Sequence, residues 1–307
     1  MRIVATAAVP AVGREAFAAL GEIEVDGGGN LSGAEILIVR GTPLGADSIE
    51  SASRLQVIAR TGAGYDNVDV AAATRAGIPV VYAPAVGAGP VAEGTIALML
   101  AAAKRLRELG DIVSSDWDAR YDVMGLDLEG ACAGVVGLGA IGRRVGTLCR
   151  ALGMAVIAHD PAASTSAFEL VGLEELVARA DVISLHCALT DETRGLVDRS
   201  LLAHTKPGAV LVNAARGAIV ESEDVLAEAL ASGRLSAVAL DVHPTEPPRV
   251  SHRLYGDPRV ICTPHTVGLT RRWNAQVFSA LAAGVTSVLA GGRPANLLNP
   301  EALRASR

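Results

Sequence analysis

The sequence is poor in aromatic residues and cysteine, and it contains no run of basic residues. Phenylalanine, tryptophan and tyrosine make up 3% of the 307 residues, so smaller aliphatic side chains must fill any core. The four cysteines are widely spaced and form no C-x-x-C pair, which argues against a metal site and predicts reduced thiols in a cytoplasmic protein. No stretch reaches the ~18 uninterrupted apolar residues that a membrane span needs.

The charge balance and the length narrow the class of protein further. Asp and Glu outnumber Lys and Arg by 33 to 27, which gives a net charge of −6 and disfavours nucleic-acid and anionic-membrane partners. Hydrophobic residues make up 50% of the chain, enough for a folded core. Single cores stop growing at ~250–300 residues, so the sequence predicts two domains.

Short apolar runs alternate with helical patterns along the chain, which predicts parallel sheets covered by helices. In the first third the expected strands are residues 3–6, 36–40, 56–60 and 79–83. The rhythm restarts at Cys132, with expected strands at residues 134–137, 155–160, 182–186, 209–213, 237–241 and 260–262. Between these halves a long helical pattern runs from Val91 towards Val113, typical of either a core helix or a subunit contact.

A glycine-rich motif opens the second half of the chain. Residues 137–142 read G-L-G-A-I-G and match G-x-G-x-x-G between an expected strand and an expected helix. Gly137 permits a tight turn, Gly139 lets the backbone approach a pyrophosphate, and Gly142 lets the helix pack closely on the sheet. The first helical residues, Ala140 and Ile141, offer N–H groups to the phosphates. The alternative is a tight strand–helix turn that binds no ligand.

An acidic residue, Asp160, ends the strand that follows this motif. It lies at about the spacing of ~20 residues at which a carboxylate accepts hydrogen bonds from ribose hydroxyls. A 2′-phosphate would be repelled at that position. The sequence therefore predicts NAD, and not NADP, as the cofactor.

Three further motifs follow expected strands, where ligands of a parallel sheet collect. Arg216 can bind a carboxylate through a bidentate pair of hydrogen bonds. His265 can give a proton to an alkoxide and take it back, and Glu246, in a loop stiffened by prolines, is its candidate partner. Each residue alone could be structural, as a surface ion pair, a backbone-bonded histidine or a solvated carboxylate. Together, behind a dinucleotide motif, they predict the reduction of a 2-oxo acid.

With these motifs in this order, the chain resembles the D-isomer-specific 2-hydroxyacid dehydrogenase family over nearly its whole length. Further matching segments are residues 61–69, 185–190, 213–217, 245–247 and 263–265. The resemblance implies two doubly wound α/β domains: a flavodoxin-like substrate-binding domain (residues 1–88 and 275–307) and a Rossmann NAD-binding domain (residues 89–274). It also implies a homodimer and a small anionic 2-oxo or 2-hydroxy acid as the bound molecule.

The resemblance also implies roles for individual residues. Arg216 would anchor the substrate, and His265, with Glu246 as its partner, would be the general acid and base. The backbone of Ala63 and Gly64 would hold the substrate carboxylate. Cofactor contacts beyond the glycine motif would come from Asp160 on the adenosine ribose, Asp241 near the nicotinamide amide, and His186, Cys187, Thr190, Ala214 and Gly268.

Within the family, the early segments are most similar to the short form of the branch that oxidises 3-phosphoglycerate. The hypothesis is that Arg60, with Arg40, meets a distal phosphate; the alternative is that each arginine pairs with a surface acid. Residues 87–94 carry Gly and Pro where the family usually has Asn and Ser or Thr, so another anionic 2-oxo acid is the second candidate substrate. A third hypothesis is an NAD-sensing binding protein of the co-repressor type, which can keep the same catalytic residues.

Overall fold

The structure is a computed structural model that describes residues 1–27, 31–84, 86–163 and 167–305. The chain divides into two compact units, one formed by Met1–Gly87 with Leu269–Arg307 and the other by Ala88–Gly268. The division expected from the sequence falls at residues 88/89 and 274/275. Each unit contains one fully parallel sheet, so the predicted fold class, two parallel-sheet α/β domains, is confirmed.

The elements follow one another in the alternating order that the sequence predicts. The strands are β1 (Ile3–Ala5), β2 (Ile23–Val25), β3 (Ile36–Val39), β4 (Val57–Arg60), β5 (Val80–Val81), β6 (Cys132–Val136), β7 (Ala155–His159), β8 (Glu169–Leu170), β9 (Val182–Leu185), β10 (Ala209–Asn213), β11 (Leu235–Leu240) and β12 (Val260–Cys262). The α-helices are α1 (Ala11–Phe17), α2 (Ala46–Ser51), α3 (Val70–Arg75), α4 (Ala88–Ala103), α5 (Leu106–Val113), α6 (Ala140–Ala151), α7 (Leu173–Arg179), α8 (Arg199–Ala203), α9 (Glu223–Ala231), α10 (Arg253–Gly256), α11 (Arg271–Leu289) and α12 (Ala302–Ala305).

The sheet of the first unit has the order β2-β1-β3-β4-β5. This is the order of flavodoxin-like folds. Alternate side chains enter two separate cores: Ile36 and Ile38 of β3 lie in one, and Leu37 and Val39 lie in the other. A strand buried on both faces reads as a continuous apolar run, which is why the sequence predicts β3 and β4. The edge strand β2 has only one buried residue, Ile23, and the sequence does not predict it.

The sheet of the second unit has the order β12-β11-β10-β9-β6-β7-β8. Counted from β6, this is the Rossmann order 3-2-1-4-5-6 with one strand added. The strand order reverses between β6 and β9, which pair in parallel with Val136 opposite Leu185. Ligands of such sheets bind beyond the carboxyl ends of the strands at this reversal point. The loops that follow β6 and β9 are therefore the place for a nucleotide.

The helix predicted to run from Val91 towards Val113 is interrupted, so that prediction is wrong. Helix α4 ends at Ala103, Arg105 has a left-handed backbone with φ 54°, and α5 begins at Leu106. The guanidinium of Arg107 donates hydrogen bonds to the backbone carbonyl of Tyr255 on α10 at 3.2 Å and to that of Asp257, just after α10, at 3.1 Å. These tertiary contacts fix the start of α5 and override the local helical pattern. Within the described ranges, no helix is long and apolar enough to cross a membrane.

Candidate active site

The glycine-rich turn between β6 and α6 has the packing that its sequence predicts. Gly137 has φ +93°, and a Cβ atom there would lie 2.5 Å from the backbone nitrogen of Cys187. A Cβ atom at Gly142 would lie 1.9 Å from the carbonyl oxygen of Gly137. Both positions therefore require glycine for the turn itself, before any ligand is considered.

Gly139 differs from its neighbours because the space in front of it is open. A Cβ atom at Gly139 would meet no atom within 4 Å, although the residue immediately precedes α6. The first N–H groups of a helix have no partner within the helix, and they form the positive end of the helix dipole. An open cradle at this position fits the pyrophosphate of a dinucleotide, with Ala140 and Ile141 supplying N–H groups.

Asp160 is held beside this turn by two backbone hydrogen bonds. Leu138 N–H donates to its Oδ2 at 2.7 Å, and Ala162 N–H donates to its Oδ1 at 2.9 Å. Each carboxylate oxygen has a second lone pair, so the group can still accept hydrogen bonds from a ribose. The fixed negative charge next to Leu138 fits a 2′-hydroxyl and opposes a 2′-phosphate.

The loop after β9 contributes a partly buried histidine to the same edge of the sheet. Nε2 of His186 lies 2.7 Å from Oγ of Ser184, while its Nδ1 is buried without a hydrogen-bond partner among the described residues. Burial lowers the pKa of His186 to about 4 and raises that of Cys187 to about 11, so both side chains are uncharged at neutral pH. Thr190 begins the next turn, where its N–H donates to Oγ1 of Thr193 at 2.8 Å. The orphaned nitrogen is consistent with a ligand at this edge.

The predicted catalytic pair is in contact. Nδ1 of His265 lies 3.0 Å from Oε2 of Glu246, and the N–H of His243 donates to Oε1 of the same carboxylate at 3.2 Å. Burial acts to raise the pKa of Glu246, but the hydrogen bond and charge of His265, together with His243, hold it below its ordinary value of 4.5. The side chains of His265 and Glu246 are 47% and 40% exposed, so the pair remains accessible to a substrate.

The backbone of His265 is left-handed, with φ 57°, and Asp241 holds it in that conformation. Asp241 is buried, and its Oδ1 accepts hydrogen bonds from Thr263 Oγ1 at 2.7 Å and Thr266 N–H at 2.8 Å. Its carbonyl oxygen accepts from His265 N–H at 2.7 Å. Asp241 thus folds the loop that presents His265, a role that the sequence does not reveal. The predicted contact of Asp241 with the cofactor stays a prediction.

Arg216 lies after β10, at the carboxyl edge of the strand next to β11. The side chain of Asn213 caps this turn, accepting from Ala215 N–H at 3.0 Å and donating to the carbonyl of Arg216 at 2.9 Å. A Cβ atom at Gly217 would lie 2.0 Å from the backbone carbonyl of His243, so the Arg216 and Glu246 loops are packed against each other. The turns after β10, β11 and β12, three neighbouring strands, therefore carry all three predicted catalytic residues.

Two other predicted cofactor residues flank this edge. Ala214 follows β10 directly and is largely buried. Gly268 ends the loop of His265, and a Cβ atom there would lie 2.6 Å from the side chain of Val91 on α4. Their contacts with a cofactor stay predictions. Among the described residues, no three His, Cys, Asp or Glu side chains are grouped as metal ligands would be.

The residues predicted to bind substrate in the first unit lie at or just beyond the carboxyl ends of β3 and β4. Nε of Arg60 donates to Oδ1 of Asn67 at 2.9 Å, and Asn67 donates to the carbonyls of Arg40 at 2.8 Å and Thr42 at 3.0 Å. Burial lowers the pKa of Arg40. Asn67, to which the sequence assigns no role, thus joins the ends of both strands. Ala63 and Gly64 lie in the loop between Arg60 and Asn67, and Ala63 is exposed.

Comparison with known proteins places these features in a family. Residues 96–267 match the family model described as "D-isomer specific 2-hydroxyacid dehydrogenase, NAD binding domain". A D-3-phosphoglycerate dehydrogenase of Archaeoglobus fulgidus is 39% identical over 86% of this chain and 51% of its own length, so the chain spans about half of that relative. A glyoxylate reductase of Aeropyrum pernix is 36% identical over 84% of this chain and 80% of its own length.

The fold comparison agrees with the sequence comparison. A crystal structure of a protein from Thermus thermophilus superposes with a TM-score of 0.88 at 34% identity, covering 97% of this chain and 100% of that one. The similarity therefore extends over both compact units and is not limited to the nucleotide-binding half.

Proposed function

The chain belongs to the D-isomer-specific 2-hydroxyacid dehydrogenase family, and from that premise we propose that it interconverts a D-2-hydroxy acid and its 2-oxo acid with NAD as cofactor. The observation that carries this proposal is the contact between His265 and Glu246. A histidine that is half exposed and bonded through Nδ1 to a carboxylate presents Nε2 for proton transfer. The nicotinamide supplies or accepts the hydride when the cofactor is bound.

Each catalytic side chain has one task in this reaction. In the reducing direction, the imidazolium of His265 gives a proton to the carbonyl oxygen as it becomes an alkoxide, and in the other direction the neutral ring takes it back. Glu246 fixes the ring and stabilises its charged form. Arg216 holds the substrate carboxylate through its planar guanidinium and orients the carbonyl. In the first unit, we propose that backbone N–H groups of Ala63 and Gly64 bind the substrate carboxylate.

We propose 3-phosphoglycerate and 3-phosphohydroxypyruvate as the substrate pair. Support comes from the relatives named D-3-phosphoglycerate dehydrogenase and from Arg60 at the end of β4, whose guanidinium is held by Asn67. The second candidate is a smaller 2-oxo acid such as glyoxylate. It is favoured by the glyoxylate reductase, of which this chain covers a larger share, and by the departure from the family pattern at residues 87–94.

We also propose that the protein is a homodimer and that its first unit is the substrate-binding domain. Exposed apolar side chains support the dimer: Leu106 and Val113 of α5 are exposed, as are Trp117, Tyr121 and Met124 in the segment that follows. Exposed apolar surface of this kind typically marks protein–protein contacts, and a second copy of the chain would cover these side chains. A location in the cytoplasm stays a prediction.

The test is a spectrophotometric assay of NADH oxidation with purified protein and a panel of 2-oxo acids. Turnover of 3-phosphohydroxypyruvate at a higher kcat/KM than glyoxylate supports the full proposal. Turnover of another acid alone keeps the reaction type and rejects the phosphorylated substrate. Tight NADH binding without turnover of any acid rejects the enzyme and favours the binding-protein alternative.

A further inference from the structure

His243 contacts the loops of all three predicted catalytic residues, although no catalytic role is assigned to His243 itself. It is buried two residues beyond Asp241. Its backbone N–H donates to Glu246, its Nε2 lies 3.1 Å from the carbonyl oxygen of Thr263, and its own carbonyl packs on Gly217. Thr263 precedes the His265 turn, and Gly217 follows Arg216. One side chain therefore ties the end of β12 to the loop of Glu246.

The other ring nitrogen of His243 begins a second chain of contacts. Nδ1 lies 3.2 Å from the phenol oxygen of Tyr255 on α10, and that hydroxyl donates to Oε1 of Glu223 on α9 at 2.7 Å. Burial, followed by the hydrogen bond and charge of Glu223, raises the pKa of Tyr255 above its ordinary value of 10.0, so the phenol keeps its proton. The imidazole of His243 thus lies between the backbone carbonyl of Thr263 and the phenol of Tyr255, whose hydroxyl already donates its hydrogen bond to Glu223.

The charge of the His243 ring follows from the number of protons that its contacts with Thr263 and Tyr255, and the contact of Tyr255 with Glu223, require. A carbonyl oxygen only accepts, so Nε2 of His243 must carry a proton to bond Thr263. An ionised Glu223 also only accepts, so it uses the single proton of Tyr255. The remaining contact, between Nδ1 and the phenol oxygen, then requires a proton on Nδ1. Three contacts need three protons, and a neutral imidazole with a phenol supplies only two.

We infer that His243 is a positioning residue, held as an imidazolium by Tyr255 and Glu223, that fixes the Glu246 and His265 loops relative to each other. The inference rests on the proposed dehydrogenase function and extends it. The ionisable groups that face His243 and Tyr255 are Glu246 in its own loop, Glu223 on α9, His252 at the start of α10, Cys262 at the end of β12, and Arg107 on α5, which bonds the backbone carbonyl of Tyr255. Two of these are carboxylates in the same network, and both favour a cation between them.

Two conservative substitutions separate charge from packing. Glu223→Gln keeps the shape, and its amide can donate to the phenol, which can then donate to Nδ1, so a neutral His243 satisfies every contact. Tyr255→Phe keeps the ring and removes the link. The matched control is His204→Gln, which alters an exposed histidine just beyond α8 whose Nδ1 lies 2.8 Å from the carbonyl oxygen of Ser200.

The first readout is the ¹⁵N NMR spectrum of the histidine rings at neutral pH. We expect both nitrogens of His243 to be protonated in the wild type, and only Nε2 in Glu223→Gln and Tyr255→Phe, with His265 signals shifted in both variants. The control should leave the His243 and His265 signals unchanged. A neutral His243 in the wild type, or His265 signals unmoved in both variants, overturns the inference.

The second readout is the pH profile of turnover. We expect Tyr255→Phe, which breaks the link from His243 to α9, to lower kcat by about 10- to 100-fold, as small misplacements of catalytic groups do, with little change in the KM for NADH. Glu223→Gln keeps every contact and should lower kcat less, but in both variants the lost charge of His243 beside Glu246 should shift the pH profile. Wild-type kcat and pH profile in both variants also overturn the inference. A wild-type protein that turns over no 2-oxo acid rejects the proposed function instead, and the NMR signals of His243 and His265 then still decide the positioning role.

Discussion

Nδ1 of His265 lies 3.0 Å from Oε2 of Glu246, a residue 19 positions earlier in the chain. The contact requires a left-handed backbone at His265, which Asp241 secures through the surrounding N–H groups. A β-branched or bulky side chain tolerates that backbone poorly, and histidine is among the residues that adopt it more readily. The loop therefore presents the imidazole of His265 to the carboxylate of Glu246. Substitutions at these two residues test the proposed proton transfer most directly.

Replacing His265 with Asn should remove proton transfer while leaving cofactor binding intact. We expect kcat to fall by about 10²- to 10⁴-fold, the usual contribution of a general acid–base residue. NADH affinity, followed by fluorescence titration, should stay close to wild type because the glycine turn after β6 is untouched. His204→Asn, which alters an exposed histidine, is the matched control and should change neither value. A His265→Asn protein with wild-type kcat would contradict the assignment.

Glu246→Gln should change how stability depends on pH in the acid range. The pKa of Glu246 is held below 4.5, so its ionised form stabilises the folded state above that pH and the contribution is lost as the pH falls through the lowered value. Wild type should therefore lose stability relative to Glu246→Gln as the pH drops below about 4.5. Thermal unfolding of both proteins across a pH series measures this difference, and parallel curves would reject it.

Two alanine substitutions in the glycine motif should affect different properties, one NADH binding and the other stability. At Gly139 the added methyl group meets nothing within 4 Å, so the protein should fold with wild-type stability but bind NADH poorly. At Gly142 the methyl group would lie 1.9 Å from a backbone oxygen, so stability itself should fall, by about 1–3 kcal/mol or more. Thermal unfolding and NADH titration of both variants separate the two roles. Unchanged NADH affinity in Gly139→Ala would argue against a pyrophosphate at that turn.

These residues show why parts of the site could be predicted from sequence. The glycine turn and the proposed catalytic pair follow strands, and the chemistry proposed for them depends on residue type at a fixed place beside the sheet. A parallel sheet buried on both faces gives continuous apolar runs, so β6 and β10 are evident in the sequence. The spacing of Arg216, Glu246 and His265 then follows from three adjacent strands that end at one edge.

What could not be predicted depends on contacts between distant residues. The break at Arg105 reflects hydrogen bonds from Arg107 to a loop about 150 residues later in the chain. The network of His243, Tyr255 and Glu223 brings together a strand end and two helices, with no local motif to mark it. Edge strands β2 and β8 are too short to show a period. Such features arise from tertiary packing, which overrides local propensity.

Asp160→Asn should weaken the preference for NAD over NADP. The amide keeps one oxygen to accept from a backbone N–H, so the turn at Leu138 should persist. It removes the negative charge that repels a 2′-phosphate. We expect the ratio of kcat/KM for NADPH to that for NADH to rise roughly tenfold, equal to about 1.4 kcal/mol. An unchanged ratio would place the adenosine ribose away from Asp160.

Arg60→Ala should distinguish the two candidate substrates. If Arg60 binds a distal phosphate, its loss removes a charge-assisted hydrogen bond worth about 1.5–3 kcal/mol, so kcat/KM for 3-phosphohydroxypyruvate should fall roughly 10- to 150-fold. Glyoxylate has no distal phosphate, and its kcat/KM should stay unchanged. Arg54→Ala is the control, since that side chain is exposed and its contact with Glu35 is long, at 3.5 Å.

The pattern across both substrates matters more than either value alone. Because Arg60 also holds Asn67, which bonds the carbonyls of Arg40 and Thr42, its removal could loosen the loop that contains Ala63. A loosened loop would impair both acids, since both carry the carboxylate that this loop is proposed to bind. Asn67→Ala separates the two effects: it should impair both substrates, whereas Arg60→Ala should impair the phosphorylated one selectively. Equal losses with both acids in Arg60→Ala would reject the phosphate contact and favour a smaller 2-oxo acid.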